Sequence, residues 1–117
     1  MKITVAICTW NRSVSLACTL AKLADCASLR FANWEVLVVN NNCRDDTDAV
    51  AMSFAGRLPL RLISQPVPGL SNARNAAVAA ATGEYMVWTD DDVLVESNWL
   101  RAYEAAFLAH PEYAFFG

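Results

Sequence analysis

The sequence predicts an α/β fold: an open, mainly parallel sheet with helices on both faces. Three observations carry that prediction. Short apolar runs alternate with helical patterns along the chain, which implies crossover connections and parallel strands. The first run, Ile3–Cys8, is nearly continuous and rich in β-branched residues, as expected of a strand covered on both sides. Polar clusters follow three of the four runs, so they gather at the carboxyl edge of the sheet, where open α/β sheets bind ligands.

After Ile3–Cys8, Ser13 is placed to cap a helix whose Leu16, Leu20, Leu23 and Ala24 recur at spacings of three and four. Trp34–Val39 reads as the second strand. It ends at Asn40-Asn41-Asn42, a residue type that tolerates left-handed backbone and forms turns. Asp46 or Thr47 opens a helix carrying Ala49, Val50, Met52 and Phe54, with Gly56 as its stop. Leu58–Ile63 is a third, shorter strand, and Pro66, Pro68 and Gly69 mark the loop beyond it. Ser71–Thr82 forms an alanine-rich helix ended by Gly83, its side chains small enough to lie close to the sheet. Glu84–Trp88 is the fourth strand and runs into Asp90-Asp91-Asp92. Ser97 caps a last helix with Leu100, Tyr103 and Phe107 on one stripe, and Tyr113–Gly117 begins another strand.

Of the 117 residues, 56% are hydrophobic and 18% charged, enough apolar material for one buried core. Residues 1–117 read as a single domain. The net charge of −3, without a basic stripe, argues against nucleic acid as a partner. No apolar run reaches the roughly 20 residues that a bilayer span needs. Ile3–Cys8 lacks the length and cleavage site of a signal peptide, so the expected location is the cytoplasm. Cys8, Cys18, Cys26 and Cys43 form no C-x-x-C pair and the single histidine, His110, is remote. Reduced thiols are expected rather than a zinc site.

The chemistry lies in the polar clusters. Along a strand, Asp90 and Asp92 would face one ligand while Asp91 points elsewhere. A few hard oxygen ligands, with room for water and phosphate, suit Mg²⁺ or Mn²⁺. A solvated acidic turn is the plainer alternative. Gly69–Asn75 joins a glycine-containing loop to a helix start, a geometry that favours anions. Arg74 there pairs either with a phosphate or with an aspartate. Neither a Gly-x-Gly-x-x-Gly nor a P-loop pattern occurs, which disfavours a dinucleotide fold or a P-loop enzyme. Trp10 either stacks on a planar base or covers the sheet rim, and Asn41 or Asn42 either bonds the base edge or shapes the turn.

Taken in order, Ile3–Arg12, Val36–Asp46, Gly69–Asn75 and Gly83–Asp92 resemble the four landmark segments of the inverting family 2-type glycosyltransferases, which have the GT-A fold of nucleotide-diphospho-sugar transferases. The resemblance covers almost the whole chain. It implies the N-terminal, donor-binding half of such an enzyme, truncated before the acceptor half and serving polysaccharide biosynthesis. The donor would be a nucleoside-diphosphate sugar of the UDP, GDP or dTDP type, held by Thr9, Trp10, Asn11, Arg12, Asn40, Asn41, Arg74, Asp90 and Asp91. Trp10 would stack on the base, Asn41 would meet its edge with Asn40 beside it, and Arg74 would lie near the diphosphate. Asp90 or Asp91 would approach the ribose or a metal-bound water, and Asp92, with Asp90, would ligate Mn²⁺ or Mg²⁺.

Two departures from the family pattern stand out. An aspartate is common at one of the Asn40/Asn41 positions, where this chain has amides. The family's base, usually a carboxylate in the second half, has no counterpart among these residues, so the resemblance leaves the catalytic residues unassigned. It implies a single displacement in a complete enzyme, and little or no sugar transfer by this chain alone. A truncated sheet would expose an edge and apolar surface, which makes a homodimer the expected partner arrangement. A non-catalytic nucleotide-binding or self-associating module is the alternative. A nucleotidyltransferase would carry glycine in the first loop, and a receiver-like domain would carry paired acids where Thr9 and Trp10 stand.

Overall fold

The computed structural model describes residues 1–112. The Tyr113–Gly117 strand expected from the sequence lies outside them. Four strands, β1 (Lys2–Thr9), β2 (Asn33–Asn40), β3 (Leu60–Ser64) and β4 (Tyr85–Asp90), form one sheet in the order β3-β2-β1-β4, and every pairing is parallel. Helices α1 (Ser13–Ala24), α2 (Thr47–Met52), α3 (Leu70–Ala80) and α4 (Trp99–Ala109) alternate with them.

This order dictates where the helices go. From β1 to β3 the chain steps in one direction, and right-handed crossovers put α1 and α2 on one face. To reach β4 it must step back past β1, and the same handedness sends α3 to the opposite face. Leu16, Leu20 and Leu23 of α1 pack with Ile3, Val5, Ile7, Val36, Val38 and Val87, and Leu100 and Phe107 of α4 join that core. On the other face Ala73 and Ala77 of α3 pack on Ala6 and Val39. Alanines at these contacts let α3 approach closely, as its composition predicts. Where α1 and α3 diverge, a crevice opens at the carboxyl end of β1, the switch point at which such sheets take ligands.

The opposite edge is tied by a carboxylate. Glu35 stands on β2 among apolar neighbours and is buried. It accepts hydrogen bonds from the Thr4 hydroxyl on β1 (2.8 Å), from Arg61 Nε on β3 (2.9 Å), and from the Thr82 N–H (2.8 Å) and hydroxyl (2.6 Å) after α3. Gly83 then lies so close to β1 that a Cβ there would sit 2.6 Å from the Thr4 backbone nitrogen. On the other face Glu104 of α4 accepts the N–H groups of Arg30, Phe31 and Ala32 at 2.7–3.0 Å, fixing the entry into β2.

Several element boundaries depart from the sequence reading. Ser13 does not cap α1 with its hydroxyl. Its own N–H is taken by Asp45 Oδ2 at 3.1 Å, a charged acceptor brought from the β2–α2 loop to a positive helix end. Ser97 likewise makes no side-chain cap, and α4 begins two residues later. The third strand starts at Leu60 because Leu58 is buried beneath the sheet end and Pro59 contributes only its carbonyl, which accepts from Val36 N–H at 2.9 Å. The second helix closes at Met52, short of Phe54.

Candidate nucleotide-binding site

A cavity of about 400 Å³ occupies the crevice at the carboxyl ends of β1 and β4. Thr9, Trp10 and Arg12 line it from the β1–α1 loop, Gly69, Leu70 and Ala73 from the start of α3, and Asp90, Asp91 and Asp92 from the end of β4. Cys8 and Asn41 complete the wall. The three polar segments singled out in the sequence therefore converge. Of the residues expected around the donor, Asn11, Asn40 and Arg74 stand outside this lining. Asn11 borders an adjoining cavity beside Asp45 and Asp92.

Trp10 is 60% exposed at the rim, a large aromatic face with little covering it. Its loop is held from the side. Asn11 adopts a left-handed φ of 51°, its N–H meets Cys43 Sγ at 3.3 Å, and its side-chain oxygen accepts the Arg44 N–H at 2.7 Å. The Cys43 thiol in turn donates to the Thr9 carbonyl at 3.4 Å. Cys43, Arg44 and Asp45 thus set the position of Trp10, a role without local sequence signal because the contacts span more than thirty residues.

Asn41 is engaged with backbone. It is buried, its Nδ2 donates to the carbonyls of Gln65 (3.0 Å) and Val67 (2.8 Å), and its Oδ1 accepts the Gly69 N–H at 3.1 Å. It pins the β3–α3 loop to the end of β2. Asn40 accepts the Cys43 N–H and donates to Asp48, and Asn42 takes the left-handed conformation at φ 58°. Gly69 precedes α3 at φ 123°, a region that disfavours any side chain. The first-turn amides of α3 lack intrahelical partners and form a positive helix end at the cavity wall.

The aspartates are not equivalent. β4 ends at Asp90, so strand alternation no longer governs the next two residues, and Asp91 does not point away as expected. It is buried in the cavity wall, with Oδ2 accepting the Thr9 hydroxyl at 2.9 Å. Arg12 Nη1 lies 3.5 Å from Asp91 Oδ1 and 3.4 Å from Asp92 Oδ2. Burial pushes the Cys8 thiol pKa up, with Arg74 opposing and Asp90 and Asp91 adding to it. Arg74 itself is exposed on α3, its guanidinium 6.0 Å from the centre of the Trp88 ring. Among the described residues no group of three or more His, Cys, Asp or Glu is arranged to hold a metal ion unaided.

Residues 4–117 match the family described as Glycosyl transferase family 2. The chain belongs to that family. A family relative, the cholesterol galactosyltransferase of Borreliella burgdorferi, is 28% identical over 86% of this chain and 27% of its own length. S. aureus TarS 1–349, solved in complex with UDP-GlcNAc, superposes with a TM-score of 0.86 at 25% identity, covering 95% of this chain and 32% of that one. The mannosyltransferase PcManGT of Pyrobaculum calidifontis, in complex with GDP-Man and Mn²⁺, gives a TM-score of 0.74 at 28% identity over 84% of this chain and 32% of that one. The GT-A architecture expected from the sequence is therefore the one found. The chain spans about a third or less of the length of these three proteins. No helix among the described residues is long and apolar enough to cross a membrane.

Proposed function

We propose that this domain binds the nucleoside-diphosphate part of a sugar donor in the β1/β4 cavity, for transfer of the sugar by a family 2 glycosyltransferase. The observation that carries the proposal is a single cavity joining an exposed aromatic face, a helix N-terminus and three carboxylates. An aromatic face suits a nucleobase, and helix N–H groups suit phosphate oxygens. Carboxylates suit a divalent ion that shares its coordination with those phosphates.

The donor set fits Mg²⁺ or Mn²⁺ on its chemistry. The carboxylates offer hard oxygens, too few to enclose an ion, which leaves coordination positions for water and diphosphate. Asp92 and Asp90 are the proposed ligands. When bound, the ion supplies positive charge against that of a departing nucleoside diphosphate. The other residues position and bind: Trp10 carries the base, Thr9 fixes Asp91, and Arg74 adds positive charge near the diphosphate. Asn41 acts by holding Gly69 and the start of α3 in place, its amide being taken up by backbone.

The donor is of the UDP, GDP or dTDP type and the pathway is polysaccharide biosynthesis. Besides Asp90–Asp92, no carboxylate among the described residues lines the cavity, so sugar transfer by this chain alone is not expected. Four free thiols suit a reducing compartment, and we assign the domain to the cytoplasm. One observation favours a self-associating module as the second reading: β4 pairs on one side only among the described residues, with Trp88 exposed on it. Calorimetric titration with UDP, GDP and dTDP, with and without Mn²⁺, tests the first reading, and sedimentation tests the second. Mn²⁺-dependent binding of one nucleotide is expected. Binding of none by the folded chain would reject the donor-site reading.

A further inference from the structure

The cavity already contains a cation. Among the described residues Arg12 is the one positively charged side chain in its lining, and its guanidinium lies against Asp91 and Asp92. These partners differ in freedom. The Asp91 side chain is 9% exposed and anchored through its second oxygen to Thr9, so it cannot turn away without breaking a buried bond. The Arg12 side chain is 57% exposed. Its backbone is tied down, its carbonyl accepting the Leu16 N–H at the start of α1. The contacts of 3.4 and 3.5 Å are long compared with the ~2.7–2.9 Å of a tight charge-assisted bond. The guanidinium therefore reaches the two carboxylates through long hydrogen bonds from one nitrogen and is not locked in a bidentate fork.

A divalent ion approaching the same carboxylates meets a like charge. A diphosphate, by contrast, offers Arg12 a better acceptor, because guanidinium and phosphate oxygens match in geometry. We propose that Arg12 is an exchangeable counter-cation. In the nucleotide-free protein it neutralises Asp91 and Asp92, and on donor entry it moves to the diphosphate and releases Asp92 to the ion. Nucleotide and ion then bind cooperatively, and linkage makes the effect mutual. The inference rests on the donor-site reading above and adds the side chain that couples its two ligands.

The test is titration of the chain with Mn²⁺, followed by the paramagnetic resonance of the free ion, for wild type and Arg12→Gln. Each is measured alone and with UDP, GDP and dTDP in turn. Without nucleotide, Arg12→Gln is expected to bind Mn²⁺ about fivefold more tightly or better, the lower end of ordinary coupling between sites. The gain in Mn²⁺ affinity on adding nucleotide is expected to shrink in the variant. Equal or weaker Mn²⁺ binding by Arg12→Gln, or an unchanged gain, would overturn the exchange while nucleotide-dependent binding by wild type kept the donor site standing. Mn²⁺ bound by neither protein under any condition would overturn the ion part of the donor site and the exchange together.

Discussion

Burial alone would raise the pKa of Glu35, but hydrogen bonds from Thr82, Thr4 and Arg61 outweigh it and hold the carboxyl at about 2. Because the folded value lies below the unfolded one, the stabilisation is complete above about pH 5 and disappears as pH falls toward 2. A shift of that size corresponds to a stabilisation on the order of 3 kcal/mol. Glu35→Gln should therefore lower stability at pH 7 and flatten its decline in acid, as read from urea midpoints between pH 7 and 3. Glu104 and Asp45 are also held below the usual carboxylate range, so they steepen the same acid limb. This network was not legible in the sequence, where Trp34–Val39 reads only as a strand, because the partners of Glu35 come from three other segments. Trp10 behaves oppositely. At 60% exposure it contributes little to folding, so Trp10→Ala should leave the melting temperature unchanged. Nucleotide binding should weaken about tenfold, as loss of a base-stacking contact of about 1–3 kcal/mol requires.

At the scale of elements, the sequence was most legible where burial sets the pattern. The four strands and four helices stand in the predicted order because each apolar run meets the sheet or a helix stripe. Ends were less legible, because the partners that close them are distant. Asp45 reaches the start of α1 across 32 positions, and Asn41 holds a loop 24 to 28 residues away. Asn41→Ala would leave part-buried backbone groups at 65, 67 and 69 without their partner. We expect a loss of about 2 kcal/mol in urea unfolding, with weaker nucleotide binding because the start of α3 would drift. Gly83 tests strand contact directly. Its absent Cβ is what lets the chain pass the Thr4 backbone, and Gly83→Ala should cost about 1–3 kcal/mol through the forced shift. A circular-dichroism melt of the variant that matched wild type would mean the approach is looser than described.

For the whole molecule, one topological fact organises the rest. Reversal of the strand order at β1 sends α1 and α3 to opposite faces, and the residues that can meet a ligand sit where they part. Clustering of Thr9–Arg12 with Asp90–Asp92 was legible, because strand ends on one edge of a parallel sheet must be neighbours. The buried position of Asp91 was not, since it depends on where β4 stops and on a hydroxyl 82 residues earlier. The most direct test of the central claim is calorimetry with UDP, GDP and dTDP, with and without Mn²⁺, on wild type and Asp92→Ala. Binding of one nucleotide to wild type that strengthens with Mn²⁺, and loses that strengthening in Asp92→Ala while the variant stays folded, is the predicted result. Nucleotide binding with identical Mn²⁺ dependence in both proteins would contradict it, placing the ion elsewhere than on Asp92.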